Sequence, residues 1–309
     1  MAKIAFIFPG QGSQFAGMGR DIADRYPEGR AVFERADAAL GEALSRLCFE
    51  GPEEQLRLTA NTQPAILTVS LAAFAGLNAR GTRFDGVAGH SLGEYSAIGA
   101  AGGLGIEELV ATVRRRGQLM QEAVPVGVGA MAAVLGVGRE IVELACRDAS
   151  SAAEVVVATN FNAPEQTVIA GHANAVARAG ELLQARGAKR VVPLPVSAPF
   201  HSPLMVPARL GLDPVLARLQ FGDLTVPLYS NVDAAPVTDA AAVRDGLVRQ
   251  VDAAVRWVEI IERMVADGFD TFVEIGPGSV LSGLIKRIAR GATTIQVGTA
   301  DQIEAFLAR

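Results

Sequence analysis

The sequence predicts an α/β fold in which a parallel-sheet body is interrupted by a small α+β unit. Three observations carry this. Short apolar runs alternate with helical periodicity at both ends of the 309-residue chain, the rhythm of a parallel sheet covered on both faces. Between about residues 126 and 195 the order changes to strand–helix–strand–strand–helix–strand, the split βαβ or ferredoxin-like pattern. The first rhythm then resumes, so the middle unit reads as an insertion.

The elements follow in order. Lys3–Phe8 is a buried strand that ends in PGQGSQFAGMG, a loop with four glycines between Gly10 and Gly19. Helical periodicity runs from Ile22 to Leu40 and from Pro64 to Leu77. Val87–His90 is a short strand leading straight into GHSLGEYSAIGAAGG. Ile106–Ala123 is a helix between Gly105 and Pro125. In the middle unit VGVGAMAAVLGV is a strand and Arg139–Ala149 a helix. VVVATNFNAPEQTVIAG gives two strands around a turn at Ala163-Pro164, Ala173–Gln184 a helix, and Ala188–Pro193 a strand. Helices return at Pro203–Leu219, Ala240–Val251 and Val255–Ala266. Thr271–Ile275 is a strand, and GPGSVLSGLIKRI turns on glycine into a last helix. The expected division is a body of residues 1–125 and 196–309 with residues 126–195 inserted.

Composition excludes several classes. Half the residues are apolar, a fifth are charged and the net charge is −5, which argues against a general nucleic-acid binder. The apolar start ends at Pro9-Gly10, which makes it a first strand rather than a signal peptide, and no stretch approaches a membrane span. A cytoplasmic protein is expected. Cys48 and Cys146 have no metal spacing and make no disulfide framework, so both are read as buried thiols and no metal is expected.

Gly89-His90-Ser91-Leu92-Gly93 fits the G-x-S-x-G nucleophile elbow, with an apolar strand before it and a helix after it. The glycines leave room for the turn, and the helix N-terminus favours a developing oxyanion. A serine N-cap is the bland alternative; the strand–helix context favours the nucleophile. This elbow makes the body α/β-hydrolase-like. A serine hydroxyl needs a base, and the chain has three histidines. His90 sits beside Ser91 on the turn and should point elsewhere. His172 opens a helix of the insertion. His201, in SAPFHSPLM between Pro199 and Pro203, is the base by elimination.

Arg114-Arg115-Arg116 would ordinarily be a solvated helix face. Helical spacing, however, puts Arg116 on one stripe with Leu109, Val113 and Met120. A guanidinium among apolar residues needs an anion, for which its fork is suited. An internal carboxylate and a substrate carboxylate serve equally well at this point.

These residues together resemble the malonyl-CoA:acyl carrier protein transacylases of fatty acid synthesis and the related acyltransferase domains of polyketide synthases. The resemblance covers essentially the whole chain. It is carried by FPGQGSQ, NTQPA, GHSLGEYSA, RGQLMQEA, GAMAAVLG, NFNAPEQTVIAG, PFHSPLM, SNV, LVRQ and EIGPGSVLSGLIKR in this order. It implies that Ser91 is acylated, that His201 is its base and that the backbone N–H groups of Gln11 and Leu92 form the oxyanion hole. It implies too that Arg116 binds the malonyl carboxylate, that the Gln250 carbonyl orients His201, and that Gln63 and Asn162 line the site. Phe200 resembles the malonyl-selective pattern, in which a ring leaves no room for an α-methyl branch. Ala198 departs from the glycine that many relatives carry in that loop, with a small effect expected on loop shape.

The implied reaction is a ping-pong transfer. Malonyl passes from malonyl-CoA to Ser91 and then to the phosphopantetheine thiol of acyl carrier protein, with no cofactor. The implied protein is a monomer. Carrier proteins of this type are acidic, and the pairs Lys189-Arg190 and Lys286-Arg287 are candidates for docking them. Scattered solubilising charge is the alternative. The rival functions are a free-standing acyltransferase loading a polyketide carrier, a serine thioesterase, which would ordinarily add a triad carboxylate and has no use for a buried Arg116, and a silent carrier-binding scaffold.

Overall fold

In a computed structural model, which describes residues 3–196 and 198–309, the first apolar run forms β1 (Lys3–Phe8), buried from Ala5 onward. The other strands are β2 (Gly86–Gly89), β3 (Gly129–Leu135), β4 (Val156–Ala163), β5 (Gln166–His172), β6 (Arg190–Pro193), β7 (Leu228–Tyr229), β8 (Pro236–Val237), β9 (Phe269–Ile275) and β10 (Thr293–Val297). Six make one sheet in the order β10-β9-β1-β2-β7-β8, parallel except for β8, which returns antiparallel to β7. Helices cover both faces with separate apolar clusters. One is centred on Phe6, Phe8 and Ile66, the other on Ile7, Trp257 and Phe272. The fold class is the α/β-hydrolase-like body with a ferredoxin-like unit that the sequence predicts.

The second sheet, in the order β4-β5-β3-β6, is wholly antiparallel and is backed by the helices Arg139–Ala149 and Ala173–Ala185. Their apolar faces meet β3–β5 in a third cluster around Val134, Val142, Ile169 and Leu183. The unit is tied to the body by backbone bonds. Val255 N–H donates to Thr159 O at 2.8 Å, and Phe161 N–H donates to Val255 O at 3.0 Å.

Several boundaries differ from the sequence reading, each for a local reason. The long period from Ile22 to Leu40 is two helices, Arg20–Arg25 and Pro27–Leu40, because Pro27 forces Tyr26 into extended geometry. The helix expected from Pro64 runs instead over Thr59–Asn78 with Pro64 inside it. The helix expected over Pro203–Leu219 is a 3₁₀ turn, Pro203–Met205, followed by Val206–Leu216. The turn between β4 and β5 falls at Pro164-Glu165 rather than Ala163-Pro164. Two short helices, Leu44–Glu50 and Glu53–Leu56, two-residue strands β7 and β8, and the closing pair β10 and Ala300–Leu307 were too short or too plain to register. Both cysteines are free and buried. Among the described residues no helix is long and apolar enough to cross a membrane.

Candidate active site

β2 ends at Gly89 and a helix, Gly93–Ala100, begins four residues later. The chain reverses at Ser91, whose φ of 52° lies in the left-handed region. Strand and helix almost touch here. A Cβ on Gly89 would lie 2.0 Å from the Gly93 carbonyl, and one on Gly93 would lie 2.1 Å from the Phe8 oxygen. Only glycine fits at either position. The strained turn is clamped by Asn231, whose Oδ1 accepts the Ser91 N–H at 2.8 Å while its Nδ2 donates to Gly89 O at 2.7 Å.

Ser91 Oγ stands 2.7 Å from His201 Nε2, and His201 Nδ1 stands 2.9 Å from the main-chain oxygen of Gln250. A carbonyl can only accept, so Nδ1 carries the proton and Nε2 offers its lone pair to the serine hydroxyl. The group behind the histidine is therefore a peptide carbonyl where a hydrolase triad would place a carboxylate. Burial, with the Arg116 charge second, pulls the His201 pKa down to about 3, which keeps the imidazole neutral. The other histidines are engaged by other partners, although His90 also lines the same cavity as Ser91 and His201. His90 Nε2 pairs with Asn162 Oδ1 at 2.7 Å and its ring packs edge-on to Trp257. His172 Nδ1 accepts the Val155 N–H at 3.0 Å at the start of the helix Ala173–Ala185.

The three arginines part company along the helix Ile106–Glu122. Arg115 is exposed to solvent near Glu122. Arg114 donates to Ala60 O at 2.7 Å and pairs with Glu42. Arg116 is 1% exposed. Its Nη1 donates to Gln63 Oε1 at 2.7 Å, its Nη2 to Gln250 Oε1 at 2.7 Å, and Nη2 also reaches Ser91 Oγ at 3.2 Å. Among the described residues no carboxylate pairs with it directly. The guanidinium rests on two neutral amides and lies over the Tyr95 ring, 5.5 Å from its centroid. Behind Gln250 lies Glu94, buried, with Oε2 accepting the Gln250 Nε2–H at 2.6 Å and Oε1 accepting the Asn231 N–H at 3.0 Å. Burial pushes Glu94 up to about 7, against the pull of those two donors and of Arg116.

Ser91, His201, Arg116, Gln63, Gln11, Leu92, Asn162 and Phe200 line one cavity of about 180 Å³. Leu92 follows Ser91 at the helix N-terminus, and Gln11 comes from the loop after β1, on the neighbouring strand of the sheet. Its side chain is turned toward Thr59, 3.3 Å away. Met120, Met131, Val168, Leu194 and Val196 supply an apolar wall, and Asn160 a further polar group. Ala198, beside this wall, is buried, and its carbonyl accepts the Phe200 N–H at 3.1 Å. Lys189, Lys286 and Arg287 meet with Arg290 along a separate groove. Arg287 Nη1 donates to Gln166 Oε1 at 2.7 Å, and Gln166 lines the small pocket with Gln11, His90 and Asn162 next to the cavity. Arg190 begins β6, exposed, and does not line that groove.

The acyl transferase domain family matches residues 5–301. The chain belongs to this acyltransferase family. It is 47% identical over 304 residues to the malonyl CoA-acyl carrier protein transacylase of Bacillus subtilis, covering 98% of this chain and 96% of that protein. To the same-named protein of Escherichia coli it is 46% identical over 308 residues, covering 99% of each. A solved acyl carrier protein S-malonyltransferase from Vibrio cholerae superposes with a TM-score of 0.96 at 44% identity, covering 99% of this chain and all of that one. A malonyl-transacylase in complex with its type II PKS acyl-carrier protein superposes with a TM-score of 0.96 at 42% identity, covering 99% of each chain.

The acyltransferase site also holds groups that the sequence reading did not single out. Asn231, Glu94 and Asn160 lie inside SNV, GHSLGEYSA and NFNAPEQTVIAG, where nothing local marks them as site residues. Asn231 and Glu94 make their contacts across 137 to 156 residues of chain, which no local pattern announces.

Proposed function

We propose that this acyltransferase moves a malonyl group from malonyl-CoA to the phosphopantetheine thiol of acyl carrier protein through malonyl-Ser91. His201 Nε2 takes the hydroxyl proton as Ser91 Oγ attacks the thioester carbonyl. The tetrahedral oxyanion is held by the backbone N–H groups of Gln11 and Leu92, and CoA leaves as the thiol after His201 returns the proton. The carrier thiol attacks the acyl-serine in the reverse sequence, with His201 again exchanging the proton. The Gln250 carbonyl keeps the imidazole in the right tautomer. No metal or redox group has a part in these steps.

The observation that carries the reading is the buried, carboxylate-free Arg116 guanidinium 3.2 Å from Ser91 Oγ. A buried guanidinium beside a nucleophile, with no carboxylate in direct contact with its fork, selects an acyl group with its own carboxylate. Phe200 lines the cavity with Met120 and Met131, which supports its reading as the ring that disfavours an α-branch. Residues 1–125 with 196–309 serve as the catalytic body and residues 126–195 as an inserted wall, a division supported by two sheets that share no strand. Lys189, Lys286 and Arg287 would meet the acidic carrier, with Arg190 at the margin. The protein is taken to work as a cytoplasmic monomer. Charge reversal at Lys286 should raise KM for carrier protein and leave KM for malonyl-CoA unchanged; equal changes in both would remove the docking role.

Intact mass spectra before and after adding carrier protein test the transfer. The adduct formed from malonyl-CoA should be absent in Ser91→Ala and should pass to the carrier. An adduct that decays to free malonate at one rate with or without carrier would mean a hydrolase.

A further inference from the structure

Gln250 does two separate things in the site. Its main-chain oxygen holds His201, while its side-chain amide faces Arg116. An amide has one accepting end and one donating end, and the two are interchangeable in shape. Here Oε1 accepts from Arg116 Nη2 at 2.7 Å, and Nε2 donates to Glu94 Oε2 at 2.6 Å and to Ser91 O at 2.8 Å. The reversed amide would set its NH₂ against the guanidinium and its oxygen against a carboxylate and a carbonyl. Three attractive contacts would become three repulsive ones in a buried setting.

Glu94 is the acid in that arrangement, and the Gln250 and Asn231 N–H groups aimed at its two oxygens make it an acceptor at both. It lies in the first turn of the helix that starts behind Ser91 and is 2% exposed. Its other oxygen takes the main-chain N–H of Asn231, the residue whose side chain clamps the elbow. We propose that Glu94 is a positioning residue that fixes the amide of Gln250 and, through it, aims the Arg116 guanidinium at the acyl carboxylate. This rests on the reading that Arg116 receives that carboxylate. A carboxylate in direct contact with Arg116 would compete with the substrate. Set one amide away, Glu94 balances the charge and orders the fork without occupying it.

The test uses the full-length protein and compares kcat and KM for malonyl-CoA and acetyl-CoA as donors, because acetyl presents no carboxylate to Arg116. In Glu94→Gln one of the two accepting oxygens becomes an NH₂ group, and the amide of Gln250 loses its charged partner. The malonyl-to-acetyl ratio of kcat/KM should drop about tenfold, the size of one charge-assisted bond. Most of the drop should lie in KM for malonyl-CoA, with a smaller loss for acetyl-CoA. Equal losses with both donors, ratio unchanged, would make Glu94 a scaffold residue and overturn the proposal, as would no change at all. Glu94→Asp keeps the charge, should restore part of the ratio, and carries the same comparison if the glutamine variant does not fold. Arg116→Ala separates the two ideas. If it leaves the ratio intact, the carboxylate reading has failed; if it collapses the ratio while Glu94→Gln does not, the positioning role alone has failed.

Discussion

The two walls of the cavity are built from opposite materials. The body side is a buried polar lattice in which Ser91, His201, Arg116, Gln63, Gln250, Glu94 and Asn231 are joined by bonds of 2.6 to 3.2 Å. The side formed by the insertion and the chain leaving it is largely Met131, Val168, Leu194 and Val196. The lattice is costly to bury and tolerates little change, since each group satisfies another. The apolar wall can adjust by small shifts in packing. On the reading above, the body carries the chemistry and the insertion shapes the space.

Variants should separate the walls by size of effect. The largest is His201→Ala, expected to lower kcat about 10³-fold or more with little change in Tm, measured as malonyl transfer at saturating donor. A loss below tenfold would assign the base elsewhere. Next is Gly93→Ala, whose Cβ meets the Phe8 oxygen at 2.1 Å. It should cost about 3 kcal/mol or more in urea unfolding, because backbone cannot give way.

A pH effect of middle size follows from His201. Its pKa is about 3 in the fold against an ordinary 6.5. Between those values the unfolded chain binds a proton that the folded chain refuses, so this group withdraws stability as pH falls, by up to about 1.4 kcal/mol per unit. Glu94 acts in the opposite direction, since its fold value of about 7 lies above its ordinary 4.5. The two offset from pH 6.5 down to 4.5. The stability of His201→Gln relative to the unaltered protein should therefore rise as pH drops below 6.5; a constant difference would mean that His201 is not held neutral.

On the apolar side, Phe200→Ala should admit a methylmalonyl donor about tenfold better relative to malonyl, the worth of one methyl in a pocket. The smallest expected effect is in the insertion. Gly180 lies within the helix Ala173–Ala185, and a Cβ there would meet only Val191 at 3.5 Å. Gly180→Ala should stabilise the protein by about 0.5–1 kcal/mol. The same substitution thus carries opposite signs in the two regions.

This contrast also explains what could be read from the sequence. The elbow is legible because Gly89 and Gly93 flank Ser91 within five residues, although only Gly89 is demanded by a contact inside the motif and Gly93 by Phe8 on the neighbouring strand. The burial of Arg116 is legible because helical spacing groups it with Leu109, Val113 and Met120. The split βαβ order of the insertion is legible because alternation and length distinguish its strands from its helices. The braces of the lattice are not. Glu94 and Asn231 look like ordinary helix and loop residues until the sheet brings β2 and β7 side by side. The break at Tyr26 was visible in Pro27 but was masked by continuous apolar spacing on either side. β7 and β8, two residues each, carry no period at all.

The central claim is that the Arg116 guanidinium chooses the acyl group that Ser91 accepts. Mixing the protein with equal malonyl-CoA and acetyl-CoA and weighing the acyl-enzyme tests it most directly. Malonyl should dominate on the unaltered protein, and the preference should fall about a hundredfold or more in Arg116→Ala, which loses two charge-assisted bonds. Equal labelling of the unaltered protein by both donors, or a preference unmoved by Arg116→Ala, would contradict it.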